Sequence, residues 1–202
     1  MIEHESHSHG HRTGIPWFDL ILAGSAIFIS IVSLIVSIHH GRTMEQLVAA
    51  NEKQVKASTL PILRYSTGNM SDNVKMVHFQ LRNGGTGPAI IEWLRLKWNG
   101  EAASGSQDLL ERCCGKLPKP RSVWIDTASG NTLPARESLD FFSIRASDAD
   151  PALYELLDRD ARFKVEAEAC YCSVLEDCWL TDFKNQPREV KSCERISEGQ
   201  RW

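Results

Sequence analysis

An excess of one charge is missing from this sequence: 23 lysines and arginines stand against 26 aspartates and glutamates. That balance removes the electrostatic footprint of a nucleic-acid binder and suits the mixed surface of an ordinary soluble domain. Histidine is scarce where a fold would use it, since only His78 lies beyond position 40. A catalytic thiol or hydroxyl therefore has one imidazole to draw on. There is no glycine-rich phosphate loop, no hydrolase triad pattern and no pair of catalytic carboxylates. Asp148, Asp150, Asp158 and Asp160 flank a short helical pattern and read as caps and solvated charges. These absences leave no catalytic residue and no cofactor to assign, and they point away from an enzyme.

Charge is also nearly absent from one stretch. From Trp17 to Ile38 the chain reads WFDLILAGSAIFISIVSLIVSI, with Asp19 as its one charged residue. As a helix this run rises roughly 33 Å, enough to cross a hydrocarbon core. The rest of the chain is too polar to wrap such a cylinder on all sides, so a buried soluble helix is the poorer reading. A cleaved signal peptide fits less well than an anchor. Only Arg12 precedes the run as a fixed positive side chain, the run exceeds a normal signal core, and no small-x-small site follows. Along it Ala23, Ala26, Ser30, Ser33 and Ser37 recur at helical spacing and draw a stripe of small side chains. Such a stripe lets two helices approach closely, which makes a homo-oligomer through this seam a candidate; small residues are also common in spans without pairing.

The segments on either side are polar. Residues 1–16 hold His4, His7, His9 and His11 in a tail without periodicity. Imidazoles at that spacing are candidate ligands for zinc, copper or nickel, although a disordered tail lacks the ordered shell of a true site. Residues 39–60 continue the helical pattern as a stalk to about Lys56, with Gly41 as a point of interruption, and Pro61 ends it.

From Pro61 the apolar period becomes two. PILRYST starts an extended run, and VKMVHFQLRN follows with Val77, Phe79 and Leu81 on one face. After the turn NGGTGPA comes IIEWLRLKWNG, with Ile91, Trp93, Leu94, Leu96 and Trp98 buried. Residues 101–122 look irregular. SVWIDT and TLPARESLDFFSIR are further strands, and DADPALYELLDRDA starts a helix at Asp148 or Asp150. RFKVEAEACYCSV and CWLTDF form a hairpin. Short strands with turn signals and one short helix describe an antiparallel β-sandwich over residues 61–184, followed by a tail over 185–202. The expected class is mainly β behind an N-terminal transmembrane helix and helical stalk.

Two of these turns carry a resemblance. Arg82-Asn83-Gly84-Gly85-Thr86-Gly87-Pro88-Ala89 resembles the N-x-G-x-x-P-A turn of Ig-like, cell-adhesion-related domains of bacteria. Leu133-Pro134-Ala135-Arg136-Glu137-Ser138 is similar to their L-x-P-G-E-S bend, with alanine and arginine where one glycine is usual. The chain as a whole resembles uncharacterised bacterial single-pass proteins with one such domain. The resemblance implies an Ig-like fold with an interaction or structural role, and brings no catalytic residues. On the physical side, Asn83 and the glycines suit left-handed conformations in a strand-to-strand turn, and Pro88 fixes its exit.

The six cysteines bear on compartment. In the hairpin, Phe163, Val165, Ala167, Ala169 and Tyr171 share the inward face; Cys170 and Cys172 share the outward one. Placing Cys172 opposite Cys178 leaves a five-residue loop and sets Tyr171 against Trp179, Ala169 against Thr181 and Ala167 against Phe183. Directly opposed residues approach bridging distance, so a Cys172–Cys178 disulfide follows with little strain. The tail could return along the outer face and bring Cys193 to Cys170. Cys113 and Cys114 would pair with each other or within this cluster, since six cysteines allow 15 connectivities. C-x-C with a third cysteine five residues beyond matches no common zinc pattern. Disulfides form in oxidising spaces, which places the domain in a periplasm or outside the cell on a single-pass inner (plasma) membrane anchor. Arg42, Lys53 and Lys56 after the run lean the opposite way. The expected partners are the lipid bilayer, a second copy and an envelope protein. The expected function is a membrane-anchored, non-enzymatic binding or structural module. The alternative is a thiol-redox or metal-handling envelope protein using the cysteine cluster or the histidine tail.

Overall fold

A computed structural model describes residues 16–115 and 117–202. His4, His7, His9 and His11 lie outside the described residues. The described chain forms two units divided between Lys53 and Gln54.

The first unit is a single helix, α1, whose full extent is Pro16–Ser58. Its apolar side chains from Trp17 to Ile38 are exposed. Length and composition are those of a membrane-crossing helix. The helix runs through Gly41 without a break. Ala23, Ala26, Ser30, Ser33 and Ser37 therefore fall along one stripe, where the Ser30 hydroxyl donates back to the Ala26 carbonyl at 2.8 Å. The last turn of α1, residues 54–58, belongs to the second unit.

The second unit is built from β1 (Leu63–Ser71), β2 (Val74–Asn83), β3 (Ala89–Trp98), β4 (Glu101–Ala102), α2 (Ser106–Cys114), β5 (Trp124–Ile125), β6 (Thr132–Leu133), β7 (Ser138–Arg145), α3 (Pro151–Leu156), α4 (Arg162–Lys164), β8 (Val165–Cys172), β9 (Cys178–Thr181) and β10 (Arg188–Val190). One sheet runs β1-β2-β7-β5; the other runs β10-β9-β8-β3-β4, with β6 also on β3. Every pairing is antiparallel. One apolar cluster draws on both sheets and on α2 and α3, joining Val77, Phe79 and Leu81 to Ile91, Leu94 and Leu96.

Bulges explain why two strands bury consecutive residues. The β2–β7 register shifts between Phe79 and Gln80, leaving Phe141 as the extra residue beside Phe142. Both phenylalanines are buried, and Phe142 stacks on Phe79 at 4.9 Å. In β3 the extra residue is Glu92. Ile91 and Leu94 consequently stay on the core side, while Trp93 turns to the face shared with Cys170.

Asn83 ties the turns together. Its side-chain oxygen accepts from Ile62 N–H (3.2 Å) and Gly85 N–H (3.0 Å). Its amide nitrogen donates to the carbonyls of Gly87 (2.8 Å) and Leu133 (3.0 Å). The main chain adds bonds to Glu137 and Arg136. The two motifs that stand about fifty residues apart in sequence therefore meet at one buried amide.

Several expectations are corrected. The turn glycines are not in the left-handed region, and neither is Asn83. A Cβ on Gly85 would lie 2.3 Å from the Leu60 carbonyl oxygen, and one on Gly87 would lie 2.3 Å from that of Thr59. Glycine is there because residues 59–62 pass too close for any side chain. The left-handed residue is Arg136, φ 67°, in the second bend, where the resembled motif has glycine. The stretch from Glu101 to Ser122 is not wholly irregular, since α2 forms there with Leu109 and Cys114 buried. Phe163 is not an inward strand residue. It sits in the helical turn before β8, exposed, with the Arg162 guanidinium 4.3 Å above its ring. Ala167 does not pair with Phe183, because β9 ends at Thr181 and a left-handed Phe183 (φ 58°) turns away toward Tyr65. The short helix starts where Asp150 accepts from Ala152 N–H at 2.9 Å.

Candidate functional site

Among the described residues, three cysteine sulfurs gather on the face of β8 and β9 turned away from the core. β8 and β9 pair Ala169 with Thr181, Tyr171 with Trp179 and Cys172 with Cys178. Tyr171 and Trp179 stack on the inner side at 5.8 Å, and Tyr171 is fully buried. On the other side Cys172 and Cys178 are bonded, their Cα atoms 4.0 Å apart. The loop between them closes on itself: Ser173 N–H donates to Asp177 O, and Glu176 N–H to Ser173 O. Glu176 takes the left-handed conformation that the tight return needs.

Strand alternation places Cys170 beside Cys172 on this face, yet both are buried. The cover is the C-terminal segment. β10 adds to the edge of β9, pairing Val190 with Cys178 and Arg188 with Leu180. The chain then crosses the face, bonding Cys193 to Cys170 across a Cα separation of 5.7 Å. Glu194 O accepts from the Trp93 indole at 2.8 Å. The segment ends in the core, where Trp202 lies edge-on to Phe142 and donates from its backbone N–H to Leu94 O. Residues 185–202 thus pack back onto the domain through Cys193 and add to it a strand, β10, and a core anchor, Trp202.

The two bridges touch. Cys172 Sγ and Cys193 Sγ are 3.9 Å apart, and the sulfurs of Cys172, Cys178 and Cys193 all lie within 4.8 Å of one another. Beside them a cleft is lined by Trp93, Arg95, Glu168, Arg188, Lys191 and Arg195, among others. Arg95 and Lys97 both pair with Glu168, the latter at 2.7 Å. Burial pushes the Glu168 carboxyl upward, but hydrogen bonds from Lys97 and Arg95 outweigh it and hold the group below its ordinary value. The Arg95 guanidinium also lies over the Trp93 ring at 5.2 Å.

The remaining two cysteines stand elsewhere. Cys113 and Cys114 are bonded to each other at the end of α2. Cys114 lines a second cleft with Leu110, Leu117, Pro118, Val123 and Leu153, about 230 Å³ in volume. All six cysteines are therefore bridged. His78 lies on β2 with its ring packed over Gly68, away from every cysteine pair just described. Comparison with protein families, with curated proteins and with solved structures finds no match for this chain.

Proposed function

We propose that the chain is a single-pass membrane protein whose Trp17–Ile38 segment is the anchor. The rest of α1 is a stalk, and the β unit is an Ig-like β-sandwich held outside the cytoplasm. Its role is that of a non-enzymatic binding or structural module with an envelope protein as partner, and the stripe from Ala23 to Ser37 is the seam of a homo-oligomer. The observation that carries this reading is a helix with apolar side chains exposed over residues 17–38, followed by a unit whose six cysteines are all bridged. Exposed apolar surface of that length is stable in lipid, and bridges persist in oxidising spaces. The Ig-like likeness is supported by two sheets that share one core, and by Asn83, which joins the two turn motifs that carry the resemblance.

The test is protease added to right-side-out membrane vesicles holding the full chain. The label belongs at the N-terminus, because Trp202 is buried. The expected result is loss of the β unit with the N-terminal label protected. A β unit that survives while the label is cut would reverse the proposed orientation.

A further inference from the structure

The geometry points to a second state of the cysteine corner, a thiolate site for a soft cation of the zinc class, formed by Cys172, Cys178 and Cys193 with Cys170 as fourth ligand once both bridges are reduced. Four sulfurs at 2.3 Å from a tetrahedral zinc lie about 3.8 Å from one another. The contact between Cys172 and Cys193 already has that length, at 3.9 Å, although no bond joins them. Cys178 completes a triangle of sulfurs none farther than 4.8 Å from another. Cys170 is bonded to one corner of it. Opening the bridges separates the two sulfurs of each bonded pair by about the difference between a disulfide bond and a tetrahedral edge, under 2 Å, and Cys170, outside the triangle, swings in from its place beside Cys193.

Backbone constraint makes the convergence durable. Cys172 and Cys178 are opposed in a ladder, Cys170 is two residues along the same strand, and Cys193 is held by β10 on one side and by the Trp93–Glu194 bond on the other. None of these restraints is a disulfide. The surroundings suit the charge of the site as well. Arg95, Arg188, Lys191 and Arg195 line the adjoining cleft against Glu168 and Glu194, a surplus of positive charge beside a group that would carry two negative charges. Spacing along the chain hides such a site, because its ligands come from two strands and a returning segment rather than from paired C-x2-C turns.

The chemistry balances with a dithiol as reductant. Each bridge accepts two electrons and two protons, giving two thiols, and the dithiol leaves as its cyclic disulfide. Four thiols and one divalent cation then give the tetrathiolate complex and release four protons. Two equivalents of a small-molecule disulfide return the bridges by exchange, taking up four electrons and four protons to leave as four thiols, and the cation is released. The inference concerns the reduced sulfurs and holds on either side of a membrane, so it stands or falls apart from the proposed orientation.

Cobalt(II) is the probe. Full-length protein in detergent, reduced with a phosphine under inert gas, is expected to take up one cobalt with sulfur-to-metal charge-transfer bands and intense tetrahedral d–d bands. Zinc should displace it, and oxidised protein should show neither set of bands. The histidine tail is removed as a source by a variant with His4, His7, His9 and His11 changed to alanine, which should keep the spectrum. Changing Cys113 and Cys114 to serine should also keep it. Cys193→Ser should weaken binding by more than about 100-fold, beyond the cost of losing an outer partner of a ligand. A reduced chain without sulfur-to-cobalt bands, folded or not, overturns the inference, and so does a spectrum indifferent to Cys193→Ser.

Discussion

Asn83 makes four side-chain hydrogen bonds in a fully buried position, which is all that its amide can make. Asn83→Ala would remove one hydrogen-bond partner from two backbone N–H groups and two carbonyls, Gly85 N–H and Gly87 O being buried. At about 1–3 kcal/mol for each buried group left unpaired, the loss reaches the scale of a small domain's whole stability. Urea denaturation should show a variant unfolded or nearly so; a midpoint close to the parent's would show that water replaces the amide. The neighbouring glycines give a sharper contrast. A Cβ on Gly84 meets nothing closer than 3.8 Å, whereas one on Gly85 meets the Leu60 oxygen at 2.3 Å. Gly85→Ala should therefore cost about 1–3 kcal/mol or more, and Gly84→Ala under 1 kcal/mol. Equal thermal shifts for the two would refute the close-approach explanation. The motif around them was legible in the sequence as a turn, but its reason was not. A residue pattern shows where glycine occurs, and only the passing segment of residues 59–62 shows that space, rather than φ, requires it.

At the scale of elements, the three bridges differ in the length of chain they close. Sequence separations are 23 for Cys170–Cys193, 6 for Cys172–Cys178 and 1 for Cys113–Cys114. Loop-closure entropy gives about 3 kcal/mol for the first and about 2 kcal/mol for the second, with little from the third. Paired serine substitutions should lower the thermal midpoint in that order, and a larger drop on losing Cys113–Cys114 would contradict it. How much could be read in advance follows the same division. The β8–β9 hairpin was readable because alternation and loop length act between neighbours in sequence. β10 was not: REV is three residues long, and it becomes a strand because β9 offers an edge and the chain beyond it is tied down by the Trp93–Glu194 bond and by Trp202 in the core. α2 escaped for a similar reason. It has no side-chain cap at Gly105, so its start lacks the usual signal, and it is held by Leu109 and Cys114 in the core. Phe163 broke the period because the helical turn from α3 runs on to Lys164, one residue short of the strand.

For the whole molecule, carboxylates set the response to acid. Asp108 is lowered to about 2 by Arg112 and by Ser104 N–H, and Asp182 to about 2 by bonds from Asn185 and Lys184. Glu111, beside Lys119, and Glu168 are also lowered. A carboxyl with a depressed pKa in the folded state favours folding above its unfolded value and loses that contribution as pH falls through the folded one. Stability should thus decline from the ordinary carboxylate range near 4 down to about 2. Glu168→Gln should flatten that limb, since Arg95 and Lys97 then face a neutral amide at every pH. An unchanged acid slope would remove Glu168 from the account.

The proposed placement of the β unit, behind an anchor at residues 17–38 and outside a reducing space, is read most simply from its cysteines. Non-reducing mass spectrometry of the full chain, purified from its native membrane with free thiols blocked at lysis, tests it most directly. The expected result is the fully oxidised mass, with peptides joined as Cys170–Cys193 and Cys172–Cys178 and a bridged Cys113–Cys114 peptide. Blocked thiols at Cys170, Cys172, Cys178 and Cys193 in freshly extracted protein would contradict it.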